Sequence, residues 1–232
     1  MRWIYLLLML CISCTSETTI NNESKGLSSH PYASYFYTYD TTALIYRYRD
    51  VAHGLAEQFH RVYGVEDSRG KHIVVERYAA EGRLTEALNY NLSALNVIDH
   101  MVVNGLGENE KATLYKDDLF PNEMGEKVSF ASKFSGFIDS TVLLMEKDRV
   151  LKETLSIEVL SKKTKSILIK EEASYTLINP YTEQEQQPQK LTMYYAFAQG
   201  LGLYEWYDKT KRSHFKLEEI LSQDKWIKML TR

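Results

Sequence analysis

The sequence predicts an all-β protein whose antiparallel strands form a meander that becomes a half-open barrel or a sandwich, with a short C-terminal helix. Of its 232 residues, 44% are hydrophobic and 25% are charged, which is ordinary globular composition. Aromatic residues are abundant (Tyr 17, Phe 8, Trp 3), Gly 11 and Pro 4 are few, and aromatic side chains favour sheet. From Tyr32 onward, alternating runs are separated by turn residues roughly every eight to twelve positions, which is typical of antiparallel strands.

The first residues have the pattern of a secretion signal. A basic start precedes an unbroken apolar run from Trp3 to Ile12, which is too short to span a bilayer. Because a small residue precedes Cys14, residues 11–14 resemble the lipobox of a bacterial lipoprotein signal peptide. Cys11 stands where that pattern prefers Leu, and Ile12 is larger than usual. The alternative is an ordinary cleaved signal peptide with an incidental cysteine.

The lipobox resemblance implies a signal peptide over residues 1–13 and a lipid anchor on Cys14. Cleavage before Cys14 removes Cys11, so the mature chain keeps one thiol and cannot form an intramolecular disulfide. Acyl chains such as palmitate on Cys14 would hold the protein on a membrane. Since Thr15 rather than aspartate follows, the resemblance implies the outer membrane of a Gram-negative cell, with the periplasmic and surface faces both open.

Residues 14–31 are predicted to be a lipidated, flexible tether. They are rich in Ser, Thr, Asn and Glu and contain almost no apolar side chain. The folded part then begins near Tyr32. The next polar stretch, Thr182 to Lys190, is short enough to be a loop within one domain. We therefore expect a single antiparallel β domain over residues 32–232.

Many consecutive strands are predicted within this domain, and their edges must be closed or covered. The charged cluster from Glu146 to Arg149 is interpreted as a turn between two of them. Helical spacing occurs only at the end of the chain, around Ser222 to Leu230. Strands are predicted at 34–39, 43–51, 55–65, 71–80, 83–92, 95–104, 109–116, 127–134, 137–146, 150–160, 165–178, 190–198, 201–208 and 213–220.

Three predicted turns, at 67–70, 81–82 and 93–94, fix the register of consecutive hairpins. In that register, one face of the sheet is continuous and apolar, and we predict that it faces the core. The residues of this face are Val62, Ile73, Val75, Leu84, Leu88, Tyr90, Leu92, Leu95, Val97, Met101 and Val103.

The same register places four ionisable residues in a row across this apolar face. His60 pairs with Arg77, Arg77 with Glu86, and Glu86 with Met101, so that Asp99 lies diagonally next to Glu86. Concave binding sites are mostly apolar with a few convergent polar groups, so we predict that the row orients the head group of a ligand. The alternative is a salt-bridge ladder at a wet barrel rim, which has little effect on stability. A bulge in the second turn would scatter the four residues between the two faces.

Two further stretches are similar to the signature segments of an exported bacterial family of unknown function. Members of that family resemble the open β-barrel of the lipoprotein carriers LolA and LolB, so the similarity implies a fold and no reaction. This chain departs from the pattern at residues 197–199, where a basic residue is common. The stretches are Leu119-Phe120-Pro121 with Gly125, and Tyr195-Ala196 with Gly200 to Glu205, within a similarity from about Tyr46 to Leu221.

Other motifs in the sequence predict little chemistry. In a strand, Gly200 and Gly202 leave one face bare, which predicts a close backbone approach or a sharp bend. His60 and His72 lie on opposite faces and roughly 17 Å apart along the sheet, too far to share a metal. Adjacent acids such as Glu171-Glu172 point to opposite faces and are interpreted as solvated charge. Because no cofactor or metal motif occurs, we expect no cofactor and no metal.

Two functions from different classes remain. Nucleic-acid binding is not one of them, because a net charge of −3 and a pI near 6.1 exclude the broad basic surface that non-specific nucleic-acid binding requires. The first of the two functions is that of an envelope lipoprotein, acting as a non-enzymatic binding, carrier or scaffold module for a lipid, another amphipathic ligand or envelope proteins. The alternative is an envelope hydrolase that uses His60 with Glu86 or Asp99 as a base. The absence of a nucleophile motif favours binding, and no residue is singled out as catalytic.

Overall fold

The structure, a computed structural model, describes residues 28–231 apart from 55, 105–106, 137–140, 180, 182–183 and 186. It confirms the predicted fold class: the described chain is nearly all β, and its antiparallel strands form a nearly closed barrel. The strands are β1 (Leu44–Asp50), β2 (Glu57–Asp67), β3 (Gly70–Ala79), β4 (Leu84–Asn91), β5 (Val97–Val103), β6 (Asn109–Lys111), β7 (Thr113–Asp117), β8 (Lys127–Ser135), β9 (Val142–Val159), β10 (Lys162–Asn179), β11 (Gln184–Glu185), β12 (Gln189–Ala198), β13 (Gly202–Asp208) and β14 (His214–Ser222), followed by helix α1 (Gln223–Leu230).

The barrel is an up-and-down meander that one stretch of chain closes. The strand order is β6-β5-β4-β3-β2-β1-β14-β13-β12-β10-β9-β8-β7, with β11 paired to β10. The edge strands β6 and β7 are separated only by Ala112, whose N–H donates to the carbonyl of His100 at 2.9 Å. Strand β6 pairs with β5 and strand β7 with β8. This closing stretch therefore passes from one edge of the sheet to the other.

The two ends of the barrel differ. Because neighbouring strands alternate in direction, the turns after β2, β4, β7, β9 and β12 lie at one end, together with the start of β1. We call this the filled end, since the chain before β1 packs into it. The turns after β1, β3, β5, β8, β10 and β13 lie at the other end, which we call the open end. Inward-facing side chains there are only partly buried, among them Arg77, Glu86, Leu143, Tyr175 and Leu177.

The filled end is occupied by an aromatic segment that the sequence predicted to be a strand. Residues 34–39 pair with no strand, and Ala33–Tyr35 form a short 3-10 helix. The Tyr37 ring packs so closely on Gly202 that a Cβ there would lie 2.4 Å from the ring Cδ1. Gly200 N–H donates to the carbonyl of Ser34 at 2.7 Å. Of the two glycines, Gly200 thus lies in the turn before β13 and only Gly202 in a strand, where it is covered by a side-chain ring. Residues 34–39 are core filling rather than sheet.

The last residues of the predicted tether also contact the barrel. Ser28 Oγ donates to the carbonyl of Ser93 at 2.9 Å. His30 is buried, its Nε2 lies 3.0 Å from the carbonyl oxygen of Phe120, and burial lowers the pKa of its imidazole. The packed part of the chain thus includes residues before Tyr32. The signal peptide, Cys14 and the tether up to residue 27 lie outside the described residues.

Strand β9 runs without a break through Glu146 to Arg149, so the turn predicted there is wrong. These residues pair with β8 on one side and with β10 on the other. Lys147 and Arg149 are buried, whereas Glu146 and Asp148 are not, which is the alternation of a strand with one face inside. The charged composition resembles a turn because both faces of this strand carry charge.

Helix α1 agrees with the helix predicted near the C-terminus. It begins where the Ser222 side chain accepts a hydrogen bond from Lys225 N–H, as an N-cap does. Trp226 packs on the outer face of the sheet against Ile45 and Phe59. Within the described part of the chain, no helix has the length and apolar character needed to span a membrane.

Candidate functional site

The first two predicted registers are confirmed at the site residues. His60 lies opposite Arg77, and Arg77 lies opposite Glu86. Arg77 Nη1 donates to Glu86 Oε2 at 2.7 Å. All three side chains face the interior. They lie near the open end, because each is close to a turn at that end. The structure therefore brings three of the four predicted site residues into one row. Beyond them, a β-bulge at Thr85 places Leu84 opposite Tyr78 on the outer face, so the assignment of Leu84 to the core face was wrong.

The third hairpin departs from its predicted register. A β-bulge on β5 at Ile98 moves the partner of Glu86 from Met101 to Val102. A shift of one residue exchanges the two faces of a strand. Val102 is accordingly buried, while Met101 and Val103 are only partly buried. Their assignment to the core face was wrong for this reason.

Asp99 does not belong to the interior row. On the outer face it pairs with Arg69 Nη1 at 2.7 Å and with the Lys111 ammonium. The bulge that turns Asp99 outward turns His100 inward. His100 Nε2 lies 3.0 Å from Glu86 Oε1, so His100 occupies the place that the sequence assigned to Asp99.

His60 is enclosed by aromatic rings rather than by carboxylates. Only 2% of it is exposed, and its ring stacks on Trp206 with centroids 5.3 Å apart. Its Nδ1 lies 3.5 Å from the Tyr37 hydroxyl, and Nε2 has no hydrogen-bond partner within the described chain. Burial, and then the charge of Arg77, lowers the pKa of His60 well below its ordinary value. His60 is therefore neutral at pH 7 and forms no ion pair with Glu86 or Asp99.

A second interior ion pair was missed by the sequence. Arg149 Nε donates to Glu171 Oε2 at 2.7 Å, and Arg149 Nη1 donates to the Leu119 carbonyl at 3.0 Å. Tyr195 Oη donates to the other carboxylate oxygen at 3.4 Å. Burial raises the pKa of Glu171, but the charges of Arg149 and Lys147 outweigh it and hold the pKa below its ordinary value.

Lys147 also faces the interior, and its charge acts on the carboxylates of both pairs. Across the sheet it lies opposite Phe130 on one side and Ala173 on the other. Its ammonium is 5.8 Å from the Phe130 ring centroid and forms no ion pair or hydrogen bond with the described residues. In the sequence, Lys147 and Arg149 lie two residues apart, as inward-facing residues of one strand do. This spacing indicates an interior position only if residues 146–149 are assigned to a strand.

Ser132, His100 and Glu86 form a hydrogen-bonded chain across the closing stretch. Ser132 Oγ lies 3.0 Å from His100 Nδ1, and His100 Nε2 lies 3.0 Å from Glu86 Oε1. These residues belong to β8, β5 and β4, so the chain joins the two edges of the sheet inside the barrel. Ser132 and His100 are both 0% exposed, which leaves them no surface for a substrate.

The remaining interior surface is aromatic and aliphatic. Phe130 and Phe134 pack edge-on against the His100 ring, and Arg149 lies over the Tyr195 ring at 4.7 Å. Within the described residues, no group of three or more His, Cys, Asp or Glu side chains could hold a metal ion. The site is thus a charged cluster in an apolar barrel interior.

Arg77→Ala is expected to lower the free energy of unfolding by about 3 kcal/mol, because it leaves Glu86 without its guanidinium partner in a largely buried place. A solvated ladder would lose less than ~1 kcal/mol on the same change. Chemical denaturation beside the parent measures the difference. Arg83→Ala is the control, since Arg83 pairs with Glu81 at an exposed turn. If both variants lose equally little free energy of unfolding, the Arg77–Glu86 pair is solvated at the rim of the barrel.

The chain matches no protein-family profile and no curated protein. Among solved structures, it is similar to a candidate lipoprotein from Parabacteroides distasonis ATCC 8503, with 13% identity, a TM-score of 0.48, and coverage of 81% of this chain and 98% of the other. It is also similar to a candidate exported protein with a YmcC-like fold from Bacteroides fragilis NCTC 9343, with 14% identity, a TM-score of 0.44 and the same coverage. Neither similarity assigns a family or a function to this chain.

Proposed function

We propose that the protein is an outer-membrane lipoprotein, anchored through Cys14, whose barrel is a non-enzymatic module that binds an amphipathic ligand. One observation carries this proposal: the interior cluster of Arg77, Glu86, Lys147, Arg149 and Glu171 lies among largely aromatic and aliphatic walls. Ligand sites combine mostly apolar walls with a few convergent polar groups. A carrier or scaffold role among envelope proteins is the broader form of the same proposal.

Access to this interior is from the open end. The side chains of Arg77 and Glu86 are 24% and 16% exposed, and the inward-facing Leu143, Tyr175 and Leu177 near them are also partly exposed. At the filled end, Tyr35, Phe36 and Tyr37 are buried within the core. A ligand therefore enters past Leu143 and Leu177, and its polar group meets the charged cluster beyond them.

Binding by the interior is tested with the Cys14→Ala chain, which lacks the lipid and needs no detergent. We expect saturable, one-to-one binding of the fluorescent apolar probe N-phenyl-1-naphthylamine. Leu143→Trp should weaken it because an indole narrows the open end. Leu191→Trp is the matched control, since Leu191 is 44% exposed. Probe binding that is absent, or equally affected by both variants, contradicts an interior site.

The second candidate, a hydrolase, is favoured by the chain of Ser132, His100 and Glu86. Ser132 would be the nucleophile and His100 the base. However, Ser132 and His100 are completely buried, and Glu86 is paired with Arg77. Both observations indicate that the hydrogen-bonded chain stabilises the barrel rather than catalyses a reaction. A fluorophosphonate reagent distinguishes the two functions: the binding module predicts no labelling, and labelling that Ser132→Ala abolishes would establish a hydrolase.

Cys14→Ala is expected to abolish membrane anchoring. Without the thiol, no thioether to diacylglycerol can form, and the tether carries almost no apolar surface. Fractionation and labelling with a radioactive fatty acid measure the result, with the parent expected in the outer-membrane fraction. Thr15→Ala is the neighbouring control. A Cys14→Ala chain that stays membrane-bound and lipid-labelled would exclude this anchor.

A further inference from the structure

We infer that Lys147 binds the acid group of the ligand, so that the barrel takes an amphipathic anion: a carboxylate or a phosphate on an apolar chain. The inference rests on the proposed function, because it names the ligand class of the same interior. It follows from the numbers of interior cations and anions, from the surroundings of Lys147 and from the apolar surface nearby.

Among the described residues of the interior cluster, formed by Arg77, Glu86, Lys147, Arg149 and Glu171, three cations face two carboxylates. Arg77 holds Glu86 at 2.7 Å, and Arg149 holds Glu171 at 2.7 Å. The second oxygen of Glu86 lies 3.0 Å from His100 Nε2, and that of Glu171 accepts from Tyr195. Both carboxylates are therefore fully engaged. Lys147 is the third cation of this cluster and has no carboxylate of its own. The buried Asp50, on the inward face of β1, accepts hydrogen bonds from the N–H groups of Ala52 and His214 instead.

Lys147 is held where an unpaired charge is costly. Only 5% of the residue is exposed. Its partners across the sheet, Phe130 and Ala173, offer an aromatic ring and a methyl group, and neither supplies an oxygen. An ammonium in an apolar interior is stable when an anion or hydrogen-bond acceptors compensate it. A bound acid group supplies both and brings the charge of this cluster close to balance.

The field of Lys147 reaches both ion pairs. Burial raises the pKa of Glu86, but Arg77 and then Lys147 outweigh it and hold that pKa well below its ordinary value. Lys147 acts in the same direction on Glu171. Arg77 and Arg149 act on Glu171 together with Lys147, so an anion at Lys147 would be within reach of their charges as well. The Nε–H of Arg77, which is buried and has no acceptor within the described chain, is a further free donor in this cluster.

The apolar chain of the ligand has a surface to follow. Met145 precedes Lys147 on the inward face of β9, and Leu143 precedes Met145 toward the open end. Leu177 lies opposite Leu143 on β10, and Tyr175 lies opposite Met145. An inorganic anion would leave these side chains unused, whereas an acyl or alkyl chain covers them.

Calorimetric titration of the Cys14→Ala chain with dodecanoate, dodecyl phosphate and dodecanol tests the inference. We expect both anions to bind about tenfold or more tightly than the alcohol, as one charge-assisted contact implies. Lys147→Met should remove this preference and leave dodecanol binding unchanged, and Lys147→Arg should retain it. Lys152→Met is the matched control, because Lys152 is an exposed lysine of the same strand.

The outcomes separate the inference from the proposed function. If dodecanol binds as tightly as the anions and Lys147→Met changes nothing, the acid site is wrong and the apolar binding module stands. If no amphiphile binds, but inorganic phosphate raises the melting temperature of the parent more than that of Lys147→Met, the acid site stands and the apolar ligand is wrong. If no amphiphile binds and inorganic phosphate stabilises the parent and Lys147→Met equally, the acid site and the apolar ligand are both wrong.

Discussion

Replacing Arg149 by alanine is expected to lower the free energy of unfolding by about 3–5 kcal/mol. The change leaves the Glu171 carboxylate, which is 1% exposed, without its partner at 2.7 Å. It also removes the donor to the Leu119 carbonyl, which lies where the chain after β7 packs into the barrel. A buried charge without a partner costs far more than the same charge in water. Equilibrium unfolding in urea measures the loss.

Two further variants show that burial causes this loss. Arg49 is 43% exposed and pairs with Glu57 and Glu218 on the outer face, so Arg49→Ala should cost less than ~1 kcal/mol. The double variant Arg149→Met, Glu171→Leu removes both charges and should recover most of the stability that Arg149→Ala loses. If Arg149→Ala lowers the free energy of unfolding no more than Arg49→Ala does, the interior pair is solvated and the barrel interior is accessible to water.

Gly202→Ala is expected to destabilise the barrel by about 3–4 kcal/mol, because two effects combine. Gly202 has φ +93°, a conformation that residues with a Cβ rarely adopt. In addition, the new methyl carbon would lie 2.4 Å from the buried Tyr37 ring, which cannot withdraw without disturbing the segment in the filled end. Thermal or chemical denaturation measures the loss.

Gly200→Ala isolates the packing part of this effect. Gly200 also has a positive φ, +75°, but a Cβ there would meet nothing within 4 Å. Its replacement should therefore cost only about 1–2 kcal/mol, the cost of the backbone conformation. Equal losses at the two glycines would mean that Tyr37 does not pack against Gly202, and that the aromatic segment does not fill this end of the barrel.

Turn chemistry in the sequence is sufficient to predict the first hairpin and the row of His60, Arg77 and Glu86, whereas in the second hairpin a bulge at Thr85 moves Leu84 to the outer face. The third hairpin fails for a specific physical reason. Its turn contains Leu95 with a positive φ of 58°, and Ile98 is the additional residue of a bulge. Leucine and isoleucine carry no signal for either feature, since both usually occupy ordinary extended positions. Asp99 and His100 therefore exchange faces without any trace in the composition.

Interior charge is the other feature that the sequence conceals. Charged residues are almost never fully buried unless they are paired, so Lys147 and Arg149 resembled a turn and Glu171 resembled solvated charge. The prediction that Glu171 and Glu172 point to opposite faces holds, because alternation needs only a strand. The pairing of Arg149 with Glu171 becomes visible only when β9 and β10 are aligned, and a bulge opposite Leu168 and Ile169 changes that alignment.

Native mass spectrometry of the protein purified from its own cell envelope tests the central claim most directly. We expect a copurifying small molecule with an acid group and an apolar chain, present on the parent and lost from Lys147→Met, while Lys152→Met retains it. A parent that carries no small molecule, or that carries a neutral one equally well in the Lys147→Met variant, would contradict a barrel that binds an amphipathic anion.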